Sequence, residues 1–365
     1  MDGFDPEGVL ISLALFNNKG GVGKTTLTYH LAHMFQRLGL NVLAVDLDPQ
    51  SNLTAAFLSE DDLAALWNEV ESPAWKERQQ KLSVSPSRVS PGAGTVAQSV
   101  QPIMDGTGDI EHFTPIRITE GLSLLSGDLE LSAFEEKLSD AWPRSFPGKD
   151  LAAIRTTTAF FRIIDQAAKD TRADLVLIDV GPNLGAINRA ALLAADAVLM
   201  PLAADLFSLR GLRNLGPTLR EWRSTWQDTV LPKVPLEILA PEGRMTPLGY
   251  VIMQPTMRLD RPVKAYRRWL ERIPSVFETA VLGRENQTFP GDQYEISTLK
   301  NYQSLMPLAH DARKPMFDLR SADGAIGSTQ AYVQRCYTDF KVLAEKIADR
   351  LNRLDNRRFP HLSIQ

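Results

Sequence analysis

The sequence predicts an α/β fold, a mostly parallel twisted sheet covered by helices on both faces. Short β-branched runs alternate with amphipathic stretches along the 365 residues, a pattern typical of strands joined by crossover helices. A glycine-rich loop separates the first such run from the first amphipathic stretch. Two later runs end in aspartate. Parallel sheets bind ligands at the carboxyl ends of their strands, so these acids and the loop are expected at one edge of the sheet.

The first predicted unit is a strand over residues 9–16, a loop, and a helix over about 24–38. Glycines let successive N–H groups curl around anionic oxygen, and the helix adds the positive end of its dipole. Lys24 is expected to reach the β- and γ-phosphates of a nucleotide, and the Thr25 hydroxyl to ligate Mg²⁺. The predicted phosphate ligands are the backbone N–H groups of Gly20, Gly21, Val22, Gly23, Lys24, Thr25 and Thr26.

Acidic residues follow two further predicted strands, at 41–45 and 175–178. The first strand leads into Asp46 and Asp48, and the second ends in Asp179, which has the pattern of a Walker B aspartate. A carboxylate in that place can hold Mg²⁺ through its water shell, because Mg²⁺ dehydrates reluctantly. For Asp46 two roles stay open, an outer-shell contact to Mg²⁺ or a cap on its strand.

The 130 residues between Asp48 and Asp179 are too many for a single crossover, so additional segments are expected there. We predict one P-loop domain over residues 1–354, with inserted or irregular segments at about 59–118 and 142–149, and a tail over 355–365. Residues 83–99 are rich in Ser, Pro, Gly and Val, and 142–149 contain two prolines and a glycine. The later predicted elements are helices over 186–194 and 331–354, a helix from Leu206, and strands over 197–201 and 249–253.

Composition narrows the class of protein further. The net charge of −4 means that any contact with nucleic acid must come from a local basic patch. The single cysteine, Cys336, excludes a disulfide framework or multi-cysteine cluster within one chain and favours a reducing cytosol. The N-terminus lacks the pattern of a secretory signal, and the apolar tract at 190–207 is broken by Asp196, Pro201 and Asp205. We therefore expect a cytoplasmic protein with no membrane span.

The loop departs from the generic phosphate loop at its start. Asn18 occupies the place of the first glycine, and a second lysine, Lys19, follows it. This arrangement resembles the deviant Walker A loop, K-G-G-x-G-K-[ST], of the ParA/MinD family of ATPases, and is closest to the partition-type ParA/Soj members. In that family the early lysine reaches the phosphates of the partner's nucleotide. The resemblance therefore implies a homodimer with ATP sandwiched between the protomers and a catalytic role for Lys19 beside Lys24.

Three further segments carry the same resemblance. Residues 45–52 are similar to the family's V-D-x-D-P-Q-x-N element, which implies that Asp48 positions or polarises the attacking water. Residues 178–185 are similar to its I-D-x-P-P-x-L-G switch, although Gly181 stands where the first proline is common. Residues 206–212 resemble its x-Y-x-x-x-G-L segment. The resemblance covers most of the chain apart from the inserted segments and implies ATP and Mg²⁺ as cofactors.

Contacts to the adenine base and to DNA are the least specific predictions. Gln254 and Pro255, after Met253, and the stretch 301–307 are candidates for the base, although Gln254 and Pro255 could simply end a strand. Basic stripes can be solvated helix faces, but the family binds DNA without sequence preference in its ATP-bound dimer. The candidate DNA contacts are Arg210, Arg213, Arg261, Lys264 and Arg268, with Arg220, Arg223 and Arg272 in the same stripes.

The implied function is a slow, partner-stimulated ATPase that acts as a dimerisation switch and positions DNA or another cargo on the nucleoid. The alternatives are an ATP-dependent ligase or amidase, a nucleotide-dependent regulatory scaffold in stress or defence signalling, and a MinD-like membrane-associated ATPase. Lys19 favours the switch and the scaffold, because a monomeric ligase has no use for it. About eight residues precede the first strand, so no helix-turn-helix is expected there, and Pro360 argues against a membrane-targeting helix in the tail.

Overall fold

The computed structural model describes residues 10–67, 88–253, 263–284, 293–302 and 304–355, and for residues 263–266 and 355 it describes the backbone alone. An eight-stranded sheet with the order β3-β4-β2-β5-β1-β6-β7-β8 runs through these residues. All neighbouring strands are parallel except β3 and β4. The strands are β1 (Ile11–Leu15), β2 (Val42–Asp46), β3 (Ile116–Thr119), β4 (Leu122–Leu125), β5 (Leu175–Asp179), β6 (Ala197–Leu202), β7 (Thr246–Met253) and β8 (Glu295–Leu299).

Helices cover both faces of the sheet. The helices are α1 (Lys24–Arg37), α2 (Asn52–Phe57), α3 (Glu60–Leu66), α4 (Val96–Asp105), α5 (Phe134–Ser145), α6 (Leu151–Thr157), α7 (Ala159–Thr171), α8 (Ala186–Leu193), α9 (Leu206–Ser224), α10 (Val263–Leu270), α11 (Ile273–Val276), α12 (Met306–Ala312) and α13 (Ser328–Asp355). Short 3₁₀ turns and two π-helical segments, Thr225–Val230 and Phe277–Val281, complete the described part.

Each central strand contributes alternate residues to two separate cores. Leu13 and Leu177 face α1 and α13 in one core, whereas Ala14 and Ile178 face α7, α8 and α9 in the other. Because both faces of these strands are buried, they consist of apolar runs instead of alternating apolar and polar residues. The predicted fold class, a mostly parallel sheet with helices on both faces, is confirmed.

The region between β2 and β5 contains more regular structure than its composition indicates. Residues 116–125, at the end of the segment expected to be irregular and just beyond it, form a hairpin of β3 and β4, turned at Gly121 with φ of 73°. Helix α5 continues through Ser145 and includes Pro143, so the expected irregular segment at 142–149 is helical in its first half. Aromatic packing accounts for this helix, since Trp142 stacks against Trp226 at a ring distance of 6.3 Å.

The carboxyl ends of β1, β2 and β5 lie side by side, which creates the position for a site. In the sheet register Leu15 pairs with Asp179, and Asp46 also pairs with Asp179. The loop after β1 therefore meets both acidic strand ends, as ligand-binding parallel sheets require. Within the described residues, no helix has the length and apolar character needed to cross a membrane.

Candidate functional site

The loop between β1 and α1 has the backbone geometry of an anion cradle. Gly21 and Gly23 have φ of 71° and 86°, left-handed values that side chains with a Cβ adopt at a cost. The start of the loop is fixed by Asn17, whose Nδ2 donates to the Pro201 carbonyl at 2.7 Å. Its Oδ1 accepts from the Lys19 N–H at 3.0 Å. The loop is thus held to the neighbouring strand β6 and opens toward the start of α1.

Lys24 and Thr25 occupy the first turn of α1 beside Asp179. The Thr25 hydroxyl donates to Asp179 Oδ2 at 2.6 Å, and Thr28 donates to the other oxygen at 3.3 Å. Lys24 is only 6% exposed. Burial lowers the pKa of its ammonium, although the carboxylates of Asp179 and Asp48 act in the opposite direction. A lysine placed in this way can contact an anion with little competition from water.

Two buried carboxylates, those of Asp46 and Asp179, stand at the ends of adjacent strands, and the Lys24 ammonium only partly offsets the effect of burial on Asp179. Burial raises the pKa of Asp179 to about 8, and the Asp46 carboxylate adds to this effect. Burial likewise raises the pKa of Asp46 to about 7, against hydrogen bonds from Thr54. A cation bound beside them would favour the ionised form of both groups.

These residues fit Mg²⁺ bound together with nucleotide phosphates. Among the described residues no cluster of three or more His, Cys, Asp and Glu could hold a metal ion. Mg²⁺ at a nucleotide needs only one or two protein ligands beside phosphate oxygens and water. Thr25 and Asp179 can supply them. Asp46 accepts hydrogen bonds from the Thr54 N–H and hydroxyl, each at 2.8 Å. Of the two roles left open for Asp46, these bonds favour the structural one, a cap at the end of its strand.

Asp48 lies at the same edge of the sheet, opposite the loop that follows β5. Its side chain is 6% exposed, and its Oδ1 accepts from the Gln50 N–H at 3.0 Å. A Cβ added to Gly181 would lie 3.4 Å from that oxygen, so the loop after Asp179 passes close to Asp48. The carboxylate can therefore accept a further hydrogen bond from a group bound in front of it.

The predicted phosphate loop, Asp48 and the switch loop, residues 180–185 after β5, line one open cleft of about 680 Å³. The switch loop contributes Pro182. Lys24, Thr25 and Asp48 also contribute to the wall of the cleft. A second cavity of about 400 Å³ adjoins it, and both are lined by Gly21, Gly23 and Thr26. The two cavities give room for phosphates at one end and for a base at the other.

The second cavity brings together segments that were predicted to contact adenine. Met253, at the end of β7, faces Tyr302 and Met306 across it. Tyr302 and Met306 belong to the predicted stretch 301–307, whereas Gln254 and Pro255 lie outside the described residues. The wall is mainly apolar, as a pocket for an aromatic base requires.

Lys19 is paired within its own chain. Its ammonium forms an ion pair with Asp205 and lies 5.8 Å from the centre of the Phe207 ring. Burial acts to raise the pKa of Asp205, but the hydrogen bonds from Lys19 and Ser208 and the positive charge of Lys19 together outweigh it, and the pKa is lowered. Leu206 and Phe207 are 44% and 69% exposed beside this pair. The surface beside the start of the loop thus combines a partly exposed lysine with exposed apolar side chains.

The candidate DNA contacts are only partly described. Arg210 and Arg213 are exposed on α9 and form no ion pair with a described residue. Arg268 is also exposed, and its guanidinium stacks on Trp269 at 5.3 Å. Arg261 lies outside the described residues, and for Lys264 the backbone alone is described. Arg220 is engaged elsewhere, since it donates to the Val281 carbonyl at 3.1 Å.

Several residues at the site had not been predicted to act there. Asp205 caps α9 by accepting from the Ser208 N–H at 2.8 Å, a spacing that the helix-start pattern could have revealed. Glu135 and Asn188 contact the switch loop, and neither has a local sequence signal. Their positions follow from the packing of α5 against α8.

A strand, a loop with two left-handed glycines and a helix that begins with Lys24 define a P-loop nucleotide-binding protein. The family model described as "AAA domain" matches residues 11–231, more than half of the chain. The chain belongs to this family, and its relatives assign it to the ParA/MinD group of P-loop ATPases.

Curated relatives include archaeal and bacterial proteins. The chain is 28% identical over 276 residues to the uncharacterized protein MJECL24 of Methanocaldococcus jannaschii, covering 76% of this chain and 85% of that protein. It is 30% identical over 213 residues to the chromosome-partitioning ATPase Soj of Thermus thermophilus, covering 58% of this chain and 62% of Soj. The match thus spans about three fifths of the length of Soj.

Solved structures share the fold across nearly the whole chain. Protein DIP2308 of Corynebacterium diphtheriae superposes with a TM-score of 0.66 at 24% identity, covering 93% of this chain and 98% of that one. The ATP complex of a single-residue variant of Cyanothece McdA has a TM-score of 0.57 at 15% identity, with 94% and 96% covered. At these identities the likeness concerns the fold.

Proposed function

We propose that this protein is a Mg²⁺-dependent ATPase that switches between a monomer and an ATP-bound dimer, and that the dimer binds DNA without sequence preference. The observation that carries the proposal is the convergence of Lys24, Asp48 and the Thr25–Asp179 pair on one cleft beside the glycine loop. Its relatives include a chromosome-partitioning ATPase, which supports positioning of DNA or another cargo as the cellular role.

The residues of the cleft supply charge and position for phosphoryl transfer. The loop N–H groups and Lys24 bind the β- and γ-phosphates of ATP and stabilise the charge that develops on them. Thr25 and Asp179 would hold Mg²⁺, which when bound neutralises phosphate charge. Asp46 keeps the β2–α2 turn in place through Thr54. Asp48 accepts a hydrogen bond from the attacking water and orients it toward the γ-phosphate.

Dimerisation would complete the site with Lys19 from the partner protomer. To reach another protomer's phosphates, Lys19 has to leave Asp205, and its partly exposed ammonium allows this. Leu206 and Phe207 would be covered by the second protomer, which removes exposed apolar surface from water. The cis pair with Asp205 would be the state of the lysine in a single protomer.

DNA binding would use Arg210 and Arg213 of α9 together with Arg268 of α10, two helices that both contact α11. Pairing two copies doubles the charge that faces the phosphates, so the dimer binds more tightly than the monomer. A partner protein that stimulates hydrolysis completes the proposed cycle, because a switch needs a signal to return to the monomer.

The first experiment compares ATP turnover and ATP binding in Asp48→Asn and in the parent protein. Asp61→Asn is the control, since Asp61 is exposed in the first turn of α3. We expect Asp48→Asn to reduce kcat by roughly 100-fold while the Kd for ATP changes by less than about threefold, because Asp48 acts on the water. Unchanged turnover in Asp48→Asn contradicts the role given to Asp48.

The second experiment titrates salt against binding to non-specific duplex DNA with ATP, with ADP and without nucleotide. ATP-only binding that weakens steeply with salt supports the switch. Replacing Arg210 and Arg213 by Ala is expected to reduce the salt slope by about one for each lost phosphate contact. Absence of DNA binding in all three states contradicts that part of the proposal and favours the regulatory scaffold.

A further inference from the structure

Helix α8, which follows the switch loop, receives its N-terminal cap from a different element. Glu135, in the first turn of α5, accepts from the Ala186 N–H at 2.6 Å and from the Ile187 N–H at 2.9 Å. Both carboxylate oxygens are therefore used. Residues 135 and 186 are far apart in the chain, so this contact ties α5, in the region between Asp48 and Asp179, to the start of α8.

Helix α8 does not provide a side-chain cap of its own for these N–H groups. Its N-cap residue is Gly185, which offers no side chain, and its first turn contains no acidic residue. The unpaired N–H groups at a helix start carry partial positive charge, so a carboxylate there is stabilising. Gly185 also permits the approach, since a Cβ on it would lie 2.7 Å from Glu135 Oε1.

The same helix start holds the switch loop that leads from Asp179. Asn188 is almost fully buried, and its Nδ2 contacts the carbonyl oxygens of Gly181 and Asn183, each at 2.8 Å. The Gly185 N–H donates to Asn183 Oδ1 at 2.9 Å. Because Gly181 passes against Asp48, the position of α8 fixes the backbone that faces the proposed catalytic carboxylate.

Other contacts between α5 and α8 support the pairing. The Arg189 guanidinium lies over the Trp142 ring at 4.6 Å and donates to the Leu138 carbonyl at 3.3 Å. Helix α5 therefore contacts α8 through a carboxylate, a backbone carbonyl and an aromatic ring. A shift of α5 would be transmitted to the switch loop.

We propose that Glu135 is a positioning residue for hydrolysis, which holds α8 and the loop 180–185 so that Asp179 and Asp48 keep their places at the γ-phosphate. The proposal rests on the ATPase function given above. Glu135 touches neither of the cavities in the described part of the site, so its effect must pass through α8.

The test measures kcat and KM for ATP together with hydrogen exchange at the amides of Ala186 and Ile187, in the full chain. The variants are Glu135→Gln and, as a matched control on the same helix, the exposed Glu136→Gln. We expect Glu135→Gln to lower kcat about tenfold, to change KM less than about twofold, and to accelerate exchange about tenfold at one of the two amides, because glutamine keeps only one acceptor oxygen. Glu136→Gln should match the parent protein.

A double-mutant cycle of Glu135→Ala and Gly185→Ala tells a positioning role of Glu135 from a general loss of folding. In the parent protein Gly185→Ala pushes a Cβ against the Glu135 carboxylate, so it should lower kcat and speed exchange at Ala186. In Glu135→Ala the same change should cost less, because the carboxylate is gone. Additive losses in kcat, or a Glu135→Gln protein with normal kcat and normal exchange, would overturn the proposal.

The exchange measurement keeps this inference apart from the ATPase assignment. A parent protein that does not hydrolyse ATP contradicts the proposed function, whereas unchanged exchange at Ala186 and Ile187 in Glu135→Gln contradicts the carboxylate contact itself. A Glu135→Gln protein with normal ATP binding, reduced kcat and faster amide exchange supports both the ATPase function and the positioning role of Glu135.

Discussion

The two ends of the nucleotide cleft are built in different ways. The phosphate end comes from consecutive residues, since Asn17 to Thr26 form one loop and the first turn of one helix. The base end joins β7, the segment after β8, α12 and α13. The phosphate end therefore depends on local backbone geometry, whereas the base end depends on how distant elements pack.

Because of this difference, substitutions at the two ends should affect nucleotide binding and the free energy of unfolding to different extents. A change in the phosphate loop should remove nucleotide contacts and leave the two cores intact, because the loop lies at the edge of the sheet. A change at the distant elements should alter the free energy of unfolding as well, since their side chains belong to the cores. The following substitutions test this contrast, from the largest expected effect to the smallest.

The largest effect is expected from Lys24→Met, which removes the buried ammonium at the phosphate end. We expect the Kd for ATP to rise by roughly 100-fold or more, because charge-assisted hydrogen bonds to the phosphates are lost. Burial already disfavours this ammonium, so the unfolding midpoint without nucleotide should change little. Calorimetric titration with ATP and thermal unfolding check both values.

Lys19→Ala is the matched control for Lys24→Met. Lys19 pairs with Asp205 in its own chain and is about one third exposed, so a single protomer should bind ATP within about threefold of the parent affinity. Dimerisation with a non-hydrolysable analogue should be lost. If Lys19→Ala weakens ATP binding as much as Lys24→Met, the two lysines do not have separate roles.

Gly216→Ala tests core packing at a position on α9 that lines neither end of the cleft. A Cβ at Gly216 of α9 would lie 2.0 Å from the Ala280 carbonyl oxygen, a backbone atom that cannot rotate away. We expect the free energy of unfolding to fall by about 3 kcal/mol, as overpacking of this kind does. The Kd for ATP, measured well below the unfolding transition, should stay unchanged because α9 contacts the Phe277–Val281 segment there.

Gly20→Ala is the control at the phosphate end. Nothing lies within 4 Å of a Cβ built on Gly20, so the free energy of unfolding should change by less than about 0.5 kcal/mol. Urea titrations of both variants give the comparison. Equal losses of stability in Gly20→Ala and Gly216→Ala would contradict the view that the phosphate loop contributes less to stability than the packed core does.

The sequence predicts the phosphate end well and the rest of the site incompletely, for a physical reason. Lys24, Thr25 and Asp179 follow strands and glycines whose positions the chain itself specifies, and the predicted strands and helices around them are observed within a few residues. Glu135 can act on the site only through the packing of α5 against α8, and Tyr302, although it lies in the predicted stretch 301–307, is brought to the cavity by the packing of the segment after β8. A single sequence contains no periodicity or spacing that links residue 135 to residue 186.

Met253→Ala is expected to have a smaller effect, confined to the base end. Met253 lines the apolar cavity and a Cβ on Gly23 would lie 3.3 Å from its Cε, so it packs beside the loop without belonging to it. We expect the Kd for ATP to rise about tenfold and that for inorganic tripolyphosphate to stay the same, because the lost contact is apolar. Met104→Ala, a partly buried methionine of the other core, should change neither Kd.

The smallest effect concerns His30, which joins the two ends of the cleft. Its Nδ1 lies 2.7 Å from the Thr26 carbonyl oxygen, and its Nε2 accepts from the Met316 N–H at 3.0 Å. Burial lowers the pKa of His30 to about 4, so the ring is neutral in the folded protein at pH 7. The hydrogen bonds require this form, with the proton on Nδ1 and the free lone pair on Nε2.

The contribution of His30 to the stability of the protein should therefore fall as the solution is acidified below pH 6.5. The unfolded chain binds a proton at His30 below about pH 6.5 and the folded chain does so only near pH 4, so the unfolded state binds more protons between these values. The contribution to the free energy of unfolding should decrease by about 1 kcal/mol between pH 6.5 and 5.5. His30→Asn should show a correspondingly smaller dependence in urea titrations over this range, because other groups titrate equally in both proteins. Parallel curves for the parent and His30→Asn would mean that the imidazole is not held neutral between the loop and the Met316 segment.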